Sequence, residues 1–162
     1  MMRPMDSCTF TIRPARSADA AFILELVPRF VAFDLPPWRD RDESAAGIRR
    51  DLEMHLAKRP AGSHMFIAET PDYESIGFLH LQETRDFFTD APNCHVSDLA
   101  VAPGREGSGV GGRLLAAAED WARGHGCRYI TLGVFPANER ARRLYERHGF
   151  GVDLLRMAKA VE

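Results

Sequence analysis

Cysteine is scarce in this 162-residue chain, and long apolar runs are missing. The three cysteines, Cys8, Cys94 and Cys127, lie far apart without a C-x-x-C pair, so the sequence suggests neither a disulfide framework nor a zinc site. No stretch approaches the roughly 18 apolar residues of a membrane span, and the start lacks the apolar region of a secretory signal. We therefore expect a cytoplasmic protein with no metal and no membrane partner.

An excess of one charge is also missing. The formal net charge is −2, and the apolar and charged fractions of 45% and 27% are ordinary for a globular protein. Such a balance provides no electrostatic footprint for nucleic acid, so we expect none as a partner. The length is sufficient to bury a core, and we interpret residues 1–162 as a single domain.

Alternating and helical apolar patterns predict the order of the elements. The predicted strands are 9–13, 65–69, 76–82, 96–101, 129–135 and 152–158. The predicted helices begin at Ser17 or Asp19, span 40–58, follow the glycines near position 110, and span 138–148. Residues 83–93 are polar and predict an exposed loop. This order predicts one α/β domain with a mixed sheet.

The stretch from His95 to about Trp121 combines a largely buried strand, a glycine-rich turn and an amphipathic helix. Glycines leave backbone amides uncovered, and a helix start carries unpaired N–H groups and a positive dipole end, so a phosphate could bind there. Residues 107–112 also satisfy G-x-G-x-x-G, but the next strand ends without the acid that dinucleotide folds carry, and no P-loop lysine follows. We therefore favour a phosphorylated cofactor, with a ligand-free structural turn as the alternative.

A second motif lies on the helix predicted near the C-terminus. At about 100° per residue, Asn138, Ala141, Tyr145 and His148 share one face of this helix. The arginines at 140, 143 and 147 are predicted to lie elsewhere. Taken alone, Asn138 is explained as an N-cap and Tyr145 as a core residue.

Together, the two motifs resemble those of the GCN5-related N-acetyltransferase (GNAT) superfamily. Its acetyl-CoA motif is approximately L-x-V-x-P-x-x-[R/Q]-G-x-G-x-[G/A], followed later by N-x-x-A-x-x-L-Y-x-x-x-G-F. The matching residues here are Leu99, Val101, Pro103, Gly107, Gly109 and Gly111, then Asn138, Ala141, Leu144, Tyr145, Gly149 and Phe150. One position departs, because Glu106 stands where the family has Arg or Gln, with Arg105 one place earlier.

The resemblance implies a mixed, mostly antiparallel central sheet flanked by helices, with two splayed central strands. It also implies acetyl-CoA as co-substrate. The residues expected to bind it are Leu99, Ala100, Val101, Arg105, Glu106, Gly107, Ser108, Gly109, Val110, Gly111, Gly112, Asn138, Ala141, Arg143 and Tyr145. A carboxylate at 106 should repel a pyrophosphate, so we expect backbone amides rather than this side chain to serve.

The same resemblance implies transfer of an acetyl group to a primary amine of a small molecule or peptide, by direct attack in a ternary complex. Tyr145 would return a proton to the departing thiolate, and a backbone N–H between Ala100 and Ala102 would stabilise the carbonyl oxygen. For the base we name His95, with a water-mediated route or another residue as the alternative. Strand alternation places His95 on the face of Leu99 and Val101, with Asp98 on the other face.

The motifs do not identify the acceptor, which we expect to meet the first two helices and the 83–93 loop. Acidic and aromatic residues near the helix junction would suit a cationic amine, with a solvated charged face as the alternative; they are Asp34, Trp38, Asp40, Asp42 and Glu43. The alternative function is a CoA-binding sensor or interaction module without turnover, and a third hypothesis is a nucleotide-binding regulatory domain. A homodimer stays open.

Overall fold

Residues 9–161 are described by the structure, a computed structural model, so Cys8 lies outside the described residues. The strands are β1 (Thr11–Pro14), β2 (Ser63–Glu69), β3 (Ser75–Arg85), β4 (Pro92–Val101) and β5 (Tyr129–Leu132). The helices are α1 (Ala20–Glu25), α2 (Arg41–Lys58), α3 (Val110–Gly124) and α4 (Glu139–Arg147). Short 3₁₀ turns flank α1 at Ser17–Asp19 and Val27–Val31. Within residues 9–161, no helix is long and apolar enough to cross a membrane.

The five strands form one sheet in the order β1-β2-β3-β4-β5. Neighbouring strands are antiparallel except β4 and β5, which run parallel. These two pair only between Asn93–Val96 and Tyr129–Leu132. After Val96, β4 continues to Val101, whereas the segment that follows β5 leaves the sheet, so the two strands diverge. The predicted mixed, mostly antiparallel sheet with splayed central strands is confirmed.

The sheet separates two apolar clusters. One lies against α3 and includes Leu79, Val96 and Leu114, and the other lies against α1 and α2 and includes Phe78 and Ala100. Alternation explains the division, since Phe78 and Leu79 are neighbours in β3 with opposite faces. Close packing of α3 requires a glycine at 77, where a Cβ would come within 2.7 Å of a Val110 methyl carbon.

Two strand boundaries differ from the predictions. The polar segment predicted as a loop over 83–93 is mostly strand, because β3 reaches Arg85, β4 starts at Pro92, and Asn93 donates to Thr84 Oγ1 at 3.0 Å. Backbone hydrogen bonds extend the hairpin even where the side chains are polar, so the hydrophobic pattern does not predict this part of the strands. The strand predicted to reach 135 ends at Leu132, where its pairing with β4 ends.

The predicted closing strand over 152–158 is wrong. Residues 151–161 have no regular secondary structure, and Val152, Leu154 and Met157 are largely exposed. The apolar composition indicates that the segment suits a strand, but a strand exists only where a neighbour accepts its backbone hydrogen bonds. No strand within residues 9–161 pairs with this segment.

A β-bulge in β4 overturns the predicted face of His95. His80 pairs with Asp98 and Leu81 pairs with Val96, so Ser97 is an extra residue in β4. The extra residue reverses the alternation. Asp98 therefore shares a face with His95, opposite Leu99 and Val101, and the prediction that His95 lies with these two apolar residues is wrong.

Candidate active site

A cleft of about 540 Å³ opens where β4 and β5 diverge. Its walls come from the end of β4, the glycine turn, the start of α4 and the region around α1 and α2. The lining residues named in the predictions are Leu99, Ala100, Val101, Arg105, Glu106, Gly107, Gly109, Val110, Gly111, Gly112, Asn138, Ala141 and Tyr145. The fold thus brings both sequence motifs together at one cavity, although Gly112 and Asn138 are 26 positions apart along the chain.

The glycine turn exposes backbone to this cleft. Gly107 and Gly109 have φ of 76° and 83°, the left-handed region that favours glycine, and a Cβ at either would meet no described atom within 4 Å. Gly109 is the N-cap of α3 and provides no side chain to cap it. Ser108 is not among the cleft-lining residues, and its hydroxyl donates to the Arg105 carbonyl. Uncovered amides at a helix start form a site suited to a phosphate.

The negative charge of the Glu106 carboxylate is balanced by an ion pair within the protein. It accepts from Arg29 Nη2 at 2.5 Å and from the Gly104 amide at 2.7 Å. A hydrogen bond from its own backbone amide, then that from Arg29, lowers the pKa of Glu106, so it stays ionised. The expected repulsion of a pyrophosphate is thereby offset by a guanidinium that also lines the cleft.

Arginines give this part of the cleft its charge. Arg29, Arg105, Arg140 and Arg147 line the cavity, with Asp98 and Glu106 as the lining carboxylates. Arg143 does not line the cavity; its exposed side chain pairs with Glu139 at 2.9 Å. The helical wheel places Arg140, Arg143 and Arg147 off the face of Tyr145, yet Arg140 and Arg147 still line the cavity. The wheel omits the length and reach of an arginine side chain.

Helix α4 is positioned by its cap and by close packing on α3. Asn138 is its N-cap and accepts from the Ala141 amide at 3.3 Å, which agrees with the capping interpretation. A Cβ at Gly111 would lie 3.0 Å from a Leu144 methyl carbon, and one at Gly112 would lie 3.0 Å from His148 Nε2. These glycines therefore let α4 approach α3, which brings Tyr145 to the cleft.

Tyr145 is held in its protonated form. Burial, followed by the negative charge of Asp98, raises the pKa of the phenol above its ordinary value. Its ring packs edge-on against Phe150 at 5.9 Å between ring centres. A protonated phenol in the cleft can donate a proton to a leaving group.

His95 lies beside the cleft and does not line it. Its Nδ1 is 2.9 Å from Thr131 Oγ1 on β5, and burial lowers the pKa of the imidazole, which favours the neutral form. Its neighbour Cys94 belongs to the α3-side cluster, and burial raises the pKa of that thiol to about 12. Cys94 is therefore a core residue and a poor nucleophile at neutral pH.

Sequence reasoning missed Asp98 as a cleft residue. The bulge directs its carboxylate to the α2 side, where Oδ2 is 2.8 Å from His80 Nδ1 and the side chain is 12% exposed. The available signal was the polar pair Ser97-Asp98, which interrupts the alternation of an otherwise apolar strand. The Ser97 hydroxyl accepts from Gln82 Nε2 at 2.8 Å, which anchors the bulge.

The divergence of the strands also leaves an open backbone edge. The Ala102 amide donates to the Ile76 carbonyl at 2.9 Å, so it is occupied on the β3 side. Successive amides of a strand alternate in direction, which directs the Leu99 and Val101 N–H groups to the side that β5 has left. The donor for a carbonyl oxygen is thus expected from Leu99 or Val101 rather than from Ala102.

Comparisons with known proteins agree with this geometry. Residues 25–150 match the family model described as Acetyltransferase (GNAT) family. The chain is 34% identical over 142 residues to the uncharacterized N-acetyltransferase YhfO of Bacillus subtilis (strain 168), covering 88% of this chain and 90% of that protein. It is 30% identical over 143 residues to an aminoglycoside N(6')-acetyltransferase type 1 of Stenotrophomonas maltophilia, covering 86% of this chain and 85% of that protein.

Among solved structures, a putative acetyl transferase from Pyrococcus furiosus shares the fold with a TM-score of 0.75 and 24% identity, over 94% of this chain and 100% of that one. The extent of the family match and the two catalytic motifs at one cleft lead to the same conclusion. The chain belongs to the GNAT acetyltransferase family and is an acetyl-CoA-dependent N-acetyltransferase.

Proposed function

We propose that this enzyme transfers the acetyl group of acetyl-CoA to a primary amine of a small cationic molecule. The observation that carries the proposal is the single cleft in which uncovered amides, arginines and a protonated phenol meet. The amides of the 107–112 turn and the start of α3 would hold the pyrophosphate. The arginines lining the cleft would add charge-assisted hydrogen bonds to the phosphates.

The thioester would lie along the open edge of β4. The amide-rich pantetheine arm of acetyl-CoA would then pair with the edge of β4 as an added strand would, through main-chain hydrogen bonds. The amine nitrogen attacks the carbonyl carbon, the carbon–sulfur bond breaks, and Tyr145 gives its proton to the departing sulfur. A phenol suits this step because its usual pKa, near 10, keeps it protonated at neutral pH until the carbon–sulfur bond breaks and negative charge develops on the sulfur. That His95 removes the amine's proton stays a prediction from the sequence alone; His95 does not line the cleft, so a residue that does line it is the better candidate for this step.

The acceptor class follows from the other side of the cleft. Phe30 and Phe33, from the segment that follows α1, and Ile48 of α2 line it there, whereas no residue of 83–93 is among the lining residues. A neighbouring hollow shares Ile48 and Phe135 with the cleft; its charged and aromatic lining residues are Trp38, Asp40 and Glu43, with Arg39 and Arg50. Carboxylates and an indole suit a molecule with several ammonium groups.

The relatives support a small-molecule acceptor. Two relatives, from Stenotrophomonas maltophilia and Klebsiella aerogenes, are named aminoglycoside N(6')-acetyltransferase type 1. A third relative is named streptothricin acetyltransferase. Asp40 itself caps α2 by accepting from the Glu43 amide at 2.9 Å, so its first role is structural. We propose Trp38 and Glu43 as the contacts for a second ammonium of the acceptor.

The test is acetyl-CoA binding by calorimetry, followed by thiol release with a panel of amines that includes kanamycin A, spermidine and a lysine peptide. We expect binding, and faster release with the polyamines than with the peptide. Binding without release for any amine would favour the CoA-binding sensor. A melting temperature raised by NAD or ATP and not by acetyl-CoA would favour the nucleotide-binding domain.

A further inference from the structure

A chain of hydrogen bonds runs from the cleft into the interior between the sheet and α2. Asp98 Oδ2 lies 2.8 Å from His80 Nδ1, His80 Nε2 lies 2.9 Å from Ser63 Oγ, and Ser63 Oγ lies 2.9 Å from His55 Nδ1. His80 is fully buried and His55 is 7% exposed. The steps described so far do not use His80, Ser63 or His55.

The chemistry of the groups determines the direction of the protons. An ionised carboxylate only accepts, so His80 Nδ1 must carry the proton that it shares with Asp98. With that proton on Nδ1, His80 Nε2 accepts from the Ser63 hydroxyl, which in turn accepts from His55 Nδ1. Burial, and then the proximity of His80, lowers the pKa of His55 and favours its neutral form. Every member of the chain thus has one defined role.

Other titratable groups surround this chain. The negative charge of Asp98 acts on both Tyr145 and His95, and Asp51 Oδ1 lies 3.7 Å from His55 Nε2 on the surface of α2. The bond to His80 engages Oδ2 of Asp98, so Oδ1 is the oxygen left for a ligand in the cleft. A buried imidazole that donates to a carboxylate fixes the orientation of that carboxylate, because the ring cannot turn without losing its hydrogen bonds on both sides.

We propose that Asp98 binds the ammonium group of the acceptor and takes its proton, and that His80, held by Ser63 and His55, positions this carboxylate. The inference rests on the proposed function. One N–H bond of the ammonium breaks, the proton moves to Asp98 Oδ1, and the electron pair stays on nitrogen for attack on the thioester carbon. Asp98 is the catalytic residue in this step, and His80 is a positioning residue.

Two substitutions of His80 separate positioning from packing. The amide nitrogen of an asparagine takes the place of Nδ1, so His80→Asn keeps the donor to Asp98 and loses the bond to Ser63. The amide of a glutamine reaches the place of Nε2, so His80→Gln keeps the bond to Ser63 and loses the donor to Asp98. Each variant replaces the buried imidazole by an amide and removes one hydrogen bond of the chain.

We expect the two variants to have similar melting temperatures and different kinetics. With kanamycin A, or with the panel amine that gives the fastest thiol release, kcat/KM should fall about threefold in His80→Asn, the scale of one neutral hydrogen bond. It should fall roughly tenfold or more in His80→Gln, the scale of a lost bond to a charged group. In Asp98→Asn, kcat/KM should fall about 10²-fold or more, because the asparagine amide cannot accept a proton.

Acetyl-CoA affinity should change little in all three variants, and His64→Gln, which alters a histidine paired with Glu83 on the surface, serves as the control. Equal losses in His80→Asn and His80→Gln would overturn the positioning role. A wild-type enzyme that acetylates no amine would instead contradict the proposed function.

If the His80 variants do not fold, nitrogen-15 NMR of the wild type and of Asp98→Asn decides. We expect His80 as the Nδ1–H form, with a strongly deshielded Nδ1 proton that moves upfield in Asp98→Asn. An Nε2–H form of His80, or a proton signal that Asp98→Asn leaves unchanged, would overturn the proposal.

Discussion

The two halves of the cleft are built in different ways. The cofactor half consists of the 107–112 turn, the start of α3 and the cleft face of α4, and it offers mainly backbone amides, glycines and a phenol. The acceptor half consists of Asp98 with its hydrogen-bonded chain and of Phe30, Phe33 and Ile48. A site built from backbone amides is sensitive to substitution of its glycines. A site built from side chains depends on residues of distant elements that hold those side chains in position. The predictions below test that difference.

The largest effect is expected in the cofactor half from Gly109→Asp. The substitution places a side chain at a φ of 83° and a carboxylate beside the proposed pyrophosphate. Repulsion of about 4 kcal/mol at 4 Å near a protein surface weakens binding on the order of 10³-fold. Calorimetry with acetyl-CoA measures the change, with Gly124→Asp at the other end of α3 as control. Parent-like affinity in a folded Gly109→Asp would place the pyrophosphate elsewhere.

Tyr145→Phe should leave the cofactor bound and slow the reaction. The ring still packs against Phe150, but the proton for the thiolate is gone, so kcat should fall roughly 10²-fold. The Kd for acetyl-CoA should stay within about twofold, because the lost interaction acts in the transition state. Tyr129→Phe, on an exposed tyrosine of β5, is the matched control. An unchanged kcat, with chemistry limiting turnover, would remove Tyr145 from the mechanism.

A comparison of Arg147→Ala with Arg143→Ala sharpens the border of the cofactor half. Arg147 lines the cleft, whereas the exposed Arg143 pairs with Glu139 one turn before it on α4. One partly exposed ion pair is worth up to about 1 kcal/mol, so Arg147→Ala should weaken acetyl-CoA binding about threefold to fivefold. Arg143→Ala should weaken it less. The reverse order would restore Arg143 as a phosphate contact.

The smallest effect is expected from His95→Gln. Its imidazole is bonded to Thr131 and does not line the cleft, so we expect its substitution to change the reaction little. The loss should stay well below the ~10²-fold of a direct base. Profiles of kcat/KM against pH for parent and variant should superimpose. A large loss that high pH relieves would identify His95 as the base.

The same contrast describes how far prediction from sequence reached. The strand, turn and helix around Gly107–Gly112 and the capped helix with Tyr145 are local patterns, and both lie at the cleft. The face of His95 was wrong because one bulged residue shifts the alternation between His95 and Leu99, and strict strand alternation does not predict a bulge. The closing strand was wrong because strand composition requires a partner that residues 9–161 do not supply.

The sequence by itself determined the family motifs, the order of the main elements, the glycines with left-handed backbone and the phenol, since each depends on neighbours within a few residues. Only the tertiary structure decided that Arg29 neutralises Glu106, which lies 77 positions away along the chain. It also decided that His55, Ser63, His80 and Asp98 form one chain from α2, β2, β3 and β4. Long-range hydrogen bonds and ion pairs require a specific three-dimensional approach, and periodicity along the chain carries no record of that approach.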